Sequence, residues 1–153
     1  MPLRQQFTDA LKDAMLKKDE RGVATMRLVM AKLKDLDIAA RPKGVTDGIG
    51  DAEIGTMLQG MVKQRRESIE LYKKGNRDDL VKQESEEIAV IERFMPKQMS
   101  EADMKDAIAK TIAATGASSI KDMGKVMSEL KKAYAGQMDF AAAGALVKEK
   151  LAA

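Results

Sequence analysis

The stretch VKQRRESIELYKKGNRDDLVKQESEEIAVIERFMPKQMSE, residues 62–101, decides the fold. Its first part extends an apolar stripe of Ile54, Leu58, Met61, Val62, Ile69 and Tyr72, at the spacing of an amphipathic helix. Gly75 suits the terminating position of that helix. Asn76 reads as the cap of the next one, which carries Leu80, Val81, Ile88 and Ile91 inward and ends near Phe94. So short a connection predicts an antiparallel hairpin. The alternation that marks strands is almost missing.

Polar residues interrupt both stripes. Arg65 and Glu84 lie at similar distances from the turn, so they are expected to approach each other. The reading is a partly buried structural ion pair that sets the register of the hairpin; the alternative makes them a ligand site. Arg27 interrupts the second helix in the same way and is read alike. Around the turn, Glu67, Glu70, Asp78 and Asp79 interleave the basic residues, as on a solvated face rather than a phosphate track. Glu84, Glu86 and Glu87 have no nucleophile or metal-ligand pattern to serve, and read as charged surface.

Upstream, residues 3–18 set Leu3, Phe7, Leu11 and Ala14 on one helical face. Asp19 is placed to cap a second helix, with Val23, Met26, Met30 and Leu33 inward, running to about Ala40. Pro42 stops it, and a Gly-rich link follows. Downstream, the pattern changes at Met95–Pro96. Ser100 is an N-cap with Asp103 at N3, and Met99 and Met104 are spaced as a hydrophobic staple. The fifth helix carries Met104, Ile108 and Ile112 and closes at Gly116. A sixth is expected from about Ser119 to Ala135 on Met123, Val126, Met127, Leu130 and Tyr134. Asp139 caps a seventh on Phe140, Ala143, Val147 and Leu151. The expectation is an all-α protein, with an N-terminal four-helix bundle in residues 1–95 and a smaller C-terminal three-helix bundle in residues 96–153.

The 153-residue chain contains neither His nor Cys. That removes imidazole bases, thiolate nucleophiles, disulfides and the usual zinc ligands together. No metal, cofactor or catalytic residue is assigned. With 27 basic and 24 acidic residues the net charge is only +3, so any RNA-binding face depends on arrangement rather than excess. Two Tyr, three Phe and no Trp argue against base-stacking surfaces. The twelve methionines read as pliable core. No apolar run approaches a membrane span, and the N-terminus lacks a secretory h-region, so a cytoplasmic location without a membrane partner is expected.

A second stretch, ATGASSIKDMGKVM at residues 114–127, looks at first like a phosphate cradle. A Walker A loop needs a second Gly before the Lys and a Ser or Thr after it. Here Lys121 follows Gly116 at the wrong spacing, and Gly124–Lys125 runs into Val126. Gly116 is read as a helix end, and Ser118 or Ser119 as the next cap. Lys121 and Lys125, one turn apart at a helix start, could still attract one backbone phosphate, against the competing charge of Asp122.

Residues 62–101, ATGASSIKDMGKVMSELK at 114–131, and VKEKL at 147–151 together resemble the GatB/YqeY family, in its stand-alone YqeY-like form. The resemblance implies a four-helix bundle joined to a smaller three-helix domain. It is similar to the C-terminal helical and tail region of the GatB subunit of the tRNA-dependent amidotransferase. There the tail contacts the tRNA body and the chemistry belongs to a separate domain. The family carries the label carbon–nitrogen ligase activity with glutamine as amido-N-donor, but no catalysis is expected of this chain alone.

Carried over by position, the tail-like nucleic-acid-binding candidates are Ser119, Lys121, Gly124, Lys125, Lys131, Lys132, Lys148 and Lys150. Many relatives have a KGRAD-like turn after the sixth helix; this chain reads AGQMD at 135–139, with Gln137 in place of the Arg. The leading expectation is an accessory module that binds tRNA or structured RNA by backbone and shape. The alternative is a module that docks a protein partner through an exposed patch including Met123, Met127 or Met138. A third, an enzyme using carboxylates or lysines, requires a concave pocket with perturbed acids.

Overall fold

Helix ends in this chain are made by residues whose side chains or backbone can satisfy orphan amides and carbonyls. In the computed structural model, which describes residues 2–96 and 98–152, α1 spans Leu3–Leu16 and α2 spans Glu20–Ala40. Lys18 between them is left-handed (φ 54°), which lets the Asp19 amide reach back to the Ala14 carbonyl at 2.9 Å. The Asp19 carboxylate then accepts from the Gly22 amide at 3.0 Å and opens α2. One residue thus closes one helix and starts the next.

After a 3-10 turn at Arg41–Lys43, α3 spans Asp51–Lys74 and α4 spans Asp78–Glu92. The α3–α4 pairing is the most extensive in the molecule, and α1 and α4 both pack on α2. The turn differs from its expected chemistry. Gly75 keeps an ordinary negative φ, and Asn76 takes the left-handed position at φ 54°. The Asn76 and Arg77 amides bond back to the Lys73 and Tyr72 carbonyls, so Asn76 finishes α3 rather than capping α4.

The chain divides into two compact units, Met1–Met95 and Pro96–Ala153. In the first, Phe7, Met26, Val29, Ile54, Leu58 and Ile91 are fully enclosed. The Phe7 ring stands edge-on to Phe94, with centroids 5.1 Å apart, joining α1 to the residues just after α4. In the second, α5 (Glu101–Thr115), α6 (Met123–Ala133) and α7 (Phe140–Ala152) enclose Ile108, Val126, Leu130, Met138 and Val147. Each such large side chain contributes roughly 1.5–3 kcal/mol of burial. Every described residue outside the helices lies in a turn, bend or irregular link, and none is in a strand.

Two polar devices hold the first unit. The Arg4 guanidinium straddles the Asp37 carboxylate at 2.8 and 2.7 Å and also donates to the Ile49 carbonyl at 2.9 Å. Asp37 in turn accepts from the Ile49 amide at 2.9 Å. The clamp pins the link after the 3-10 turn against α1 and α2, and the Arg4 hydrogen bonds hold Asp37 down at about 2. Gly48 makes this possible. It is left-handed at φ 92°, and a Cβ there would run into the Arg4 guanidinium and lie 3.0 Å from the Asp37 carboxylate.

The second device corrects the expected Arg65–Glu84 pair. The Arg65 Nε donates to Glu87 at 2.9 Å, with Glu87 buried beside Val90 and Ile91. Arg65 and Glu87 are each eleven residues from the left-handed Asn76, which makes them the true equidistant pair. Glu84 sits one turn nearer the hairpin tip. Partial burial and the Glu87 charge raise its pKa, against the opposing pull of Arg65 and Arg21. Arg27 likewise is not an interior partner. It is exposed, while Arg21 reaches Glu86 at 3.2 Å and Glu87 at 4.0 Å.

Candidate nucleic-acid interface

The eight candidate residues all lie in the second unit, beginning where α5 ends. Gly116 (φ 68°) lets the Ala117 amide bond the Ile112 carbonyl. Ser119 makes no side-chain cap bond, and Ile120–Asp122 forms a 3-10 turn, so α6 starts at Met123 rather than near Ser119. The Asp122 carboxylate accepts from the Ser118 amide at 3.0 Å. The Lys125 Nζ turns to the Thr115 carbonyl at 3.3 Å and caps the end of α5. An acid and an internal hydrogen bond therefore occupy the would-be cradle.

Along α6 the basic residues fall into two rows. Lys125, Glu129 and Lys132 share one row, and Lys132 approaches Glu129 at 3.5 Å. Gly124, Ser128 and Lys131 share the other, which Lys121 extends into the preceding turn; all are exposed and none is acidic. Among the described residues neither Lys121 nor Lys131 makes an ion pair.

On α7, Gly144 faces α6: a Cβ added there would lie 3.8 and 3.9 Å from the Met123 and Met127 methyls, an ordinary contact. Lys148, also without an ion pair among the described residues, is exposed one turn further along α7, a helix that also contacts the Ile120–Asp122 turn. Lys150 lies apart. With Lys105, Glu149, Ile108 and Leu146 it lines an open hollow of about 370 Å³ between α5 and α7.

The AGQMD turn at 135–139 has a structural duty. The Gln98 side chain donates to the Gly136 carbonyl at 2.7 Å, and the Met99 amide to the Gln137 carbonyl at 2.9 Å. The methionine docking patch is not present as expected. Met138 is fully enclosed, while Met123 and Met127 are partly buried against α7. Among the described residues no cluster of three or more carboxylates is arranged to hold a metal, and no helix is long and apolar enough to cross a membrane.

A family model described as Yqey-like protein matches residues 4–151. The chain belongs to the YqeY-like family. The resemblance to the GatB tail is consistent with that membership. Among relatives of this YqeY-like chain is altered inheritance of mitochondria protein 41, mitochondrial, of Eremothecium gossypii. It is 36% identical over 98 residues, which cover 60% of this chain and 51% of its own. Proteins of the same name match from Lachancea thermotolerans (32% identical; 56% and 43% covered) and Saccharomyces cerevisiae (29%; 68% and 55%). The chain spans about half the length of the curated relatives it matches.

The cytoplasmic expectation is corrected by these names, since the relatives are mitochondrial proteins. It rested on a missing secretory h-region and a missing apolar span, and a protein inside an organelle needs neither.

Proposed function

We propose that this YqeY-like chain is a non-catalytic accessory module, a four-helix bundle followed by a three-helix bundle, whose second part binds tRNA or structured RNA through the backbone. The observation that carries this reading is the acid-free, exposed row of Gly124, Ser128 and Lys131 on α6, extended by Lys121 in the preceding turn, with Lys148 exposed on α7, which contacts that turn. Gly and Ser between lysines let a phosphate backbone approach closely. Lysine ammonium groups with no ion pair among the described residues can displace the counterions condensed on RNA phosphates, which is the main source of sequence-independent affinity. The scarcity of aromatic residues fits shape and backbone contact rather than base stacking. Lys125 and Lys132, engaged with Thr115 and Glu129, are secondary contacts.

The test is fluorescence anisotropy of labelled total tRNA at low and near-physiological salt. The wild type is expected to bind with a steep salt dependence. Lys121→Glu/Lys131→Glu/Lys148→Glu is expected to weaken binding by about a hundredfold or more at low salt, with Lys132→Glu much milder. Weak wild-type binding, or equal effects of the two variants, rejects the reading.

A further inference from the structure

In the first unit α2 and α3 touch over only a short stretch, and an open groove of about 710 Å³ lies between them. Its floor is apolar: Leu36 and Ala40 come from α2, and Met57, Gly60 and Met61 from α3. These residues recur at three-and-four spacing on both helices, so the floor runs along the helix axes. From Lys32 to Lys43 the groove extends roughly 16 Å at the helical rise, the length of about three turns of a guest helix.

We propose that this groove docks an amphipathic helix of a partner protein, with an acidic edge lying along the α2 wall. Three features converge on it. The first is Gly60. A Cβ there would meet nothing within 4 Å, so the packing of this chain does not require a glycine. Glycine is the poorest helix former after proline, yet here it deepens the middle of the groove, where a guest backbone approaches closely. The second is the end wall, formed by Val45 and Ile49 on the link that the Arg4–Asp37 clamp pins through both backbone groups of Ile49. The groove is thus built in advance rather than formed on contact.

Charge is the third and selects the guest. Lys32 on α2 and Lys43 in the 3-10 turn that follows it mark the two ends of this wall, and neither makes an ion pair among the described residues. Glu53 stands on the α3 wall, also without an ion-pair partner among them. A guest with acids along one edge and a base near Glu53 matches this pattern. A nucleic-acid backbone matches it less well, because the floor between the walls is apolar and Glu53 repels phosphate.

The test uses the full chain and two fluorescein-labelled peptides of about four helical turns with the same Leu/Ala face, one with Glu along its edge and one with Lys. The Glu-edged peptide is expected to bind about tenfold tighter or better. Gly60→Leu fills the floor and is expected to weaken that binding about tenfold or more, with no fall in melting temperature because Leu favours helix. Lys32→Glu/Lys43→Glu is expected to reverse the preference between the peptides. Equal binding of both peptides, no binding of either, or indifference to Gly60→Leu overturns the proposal. A dimer in sedimentation that Gly60→Leu dissolves gives the groove to a second copy of the chain and also overturns it. So does tRNA binding that Gly60→Leu weakens.

Discussion

Every arginine of the chain precedes Pro96, whereas every basic residue after it is lysine. In the first unit most arginines are built into the structure. Arg4 clamps Asp37, Arg65 holds the buried Glu87, Arg21 joins Glu86, and Arg66 reaches Glu92 at 2.8 Å. In the second, Lys121, Lys131 and Lys148 stand in solvent. The difference follows from the chemistry of the two cations. A guanidinium is a planar fork that loses little on being fixed against a carboxylate, while an ammonium is a strongly hydrated point charge on a flexible stem. One unit uses positive charge to join helices, and the other keeps it available on the surface.

The largest expected effect breaks the first half of this contrast. Arg65→Met strands a buried carboxylate and should cost about 3 kcal/mol in urea unfolding, whereas Arg65→Met/Glu87→Leu should recover most of the loss. If the single variant costs no more than a surface substitution, the arginines are not structural joints.

Next comes the clamp. Asp37→Asn should cost about 2 kcal/mol, the worth of hydrogen bonds to a charged partner. Because the folded carboxyl is held at about 2, below its ordinary value, its contribution is complete above about pH 4 and fades as pH falls toward 2. Acid titrations of wild type and Asp37→Asn should therefore converge over that window. Parallel curves would mean that the clamp does not carry the acid sensitivity.

On the lysine side the expected change in stability is small. Lys121→Ala, Lys131→Ala and Lys148→Ala should each shift unfolding by less than about 0.5 kcal/mol while lowering the salt dependence of tRNA binding. A larger loss of stability would assign these lysines to the fold.

The smallest effect concerns Glu84, whose pKa is raised by partial burial and by Glu87. A raised acid binds more protons folded than unfolded, so its charged form destabilises at neutral pH and the penalty lifts on acidification. Glu84→Gln should give a slight stabilisation at neutral pH that vanishes in acid. An unchanged neutral-pH midpoint would show that nearby Arg65 and Arg21 already compensate.

The all-helical class was legible in the sequence, and so were several helix ends. Asp19 accepting from Gly22, Ser100 from Asp103, and Asp139 from Ala141 and Ala142 all work within a single turn of backbone. Periodicity and capping are local interactions, and residue order alone specifies them. Where two neighbouring residues gave the same local signal, residue order did not choose between them. Gly75 and Asn76 both read as turn residues, and the left-handed role goes to Asn76, where it lets the Arg77 amide reach the Tyr72 carbonyl.

The candidate interface was legible only as a set of lysines. Which of them are engaged among the described residues depends on Glu129 and on the Thr115 carbonyl, groups that sequence spacing does not rank.

By itself, then, the sequence determined the helical periods, most of their caps and the absence of imidazole and thiol chemistry. It did not determine that Arg65 meets Glu87 rather than Glu84, that Arg4 finds Asp37 across 33 residues, or that α2 and α3 leave a groove. Those outcomes depend on register and on how far two helices diverge. Both are settled by side chains meeting across the core, and a shift of one helical turn exchanges one carboxylate for another.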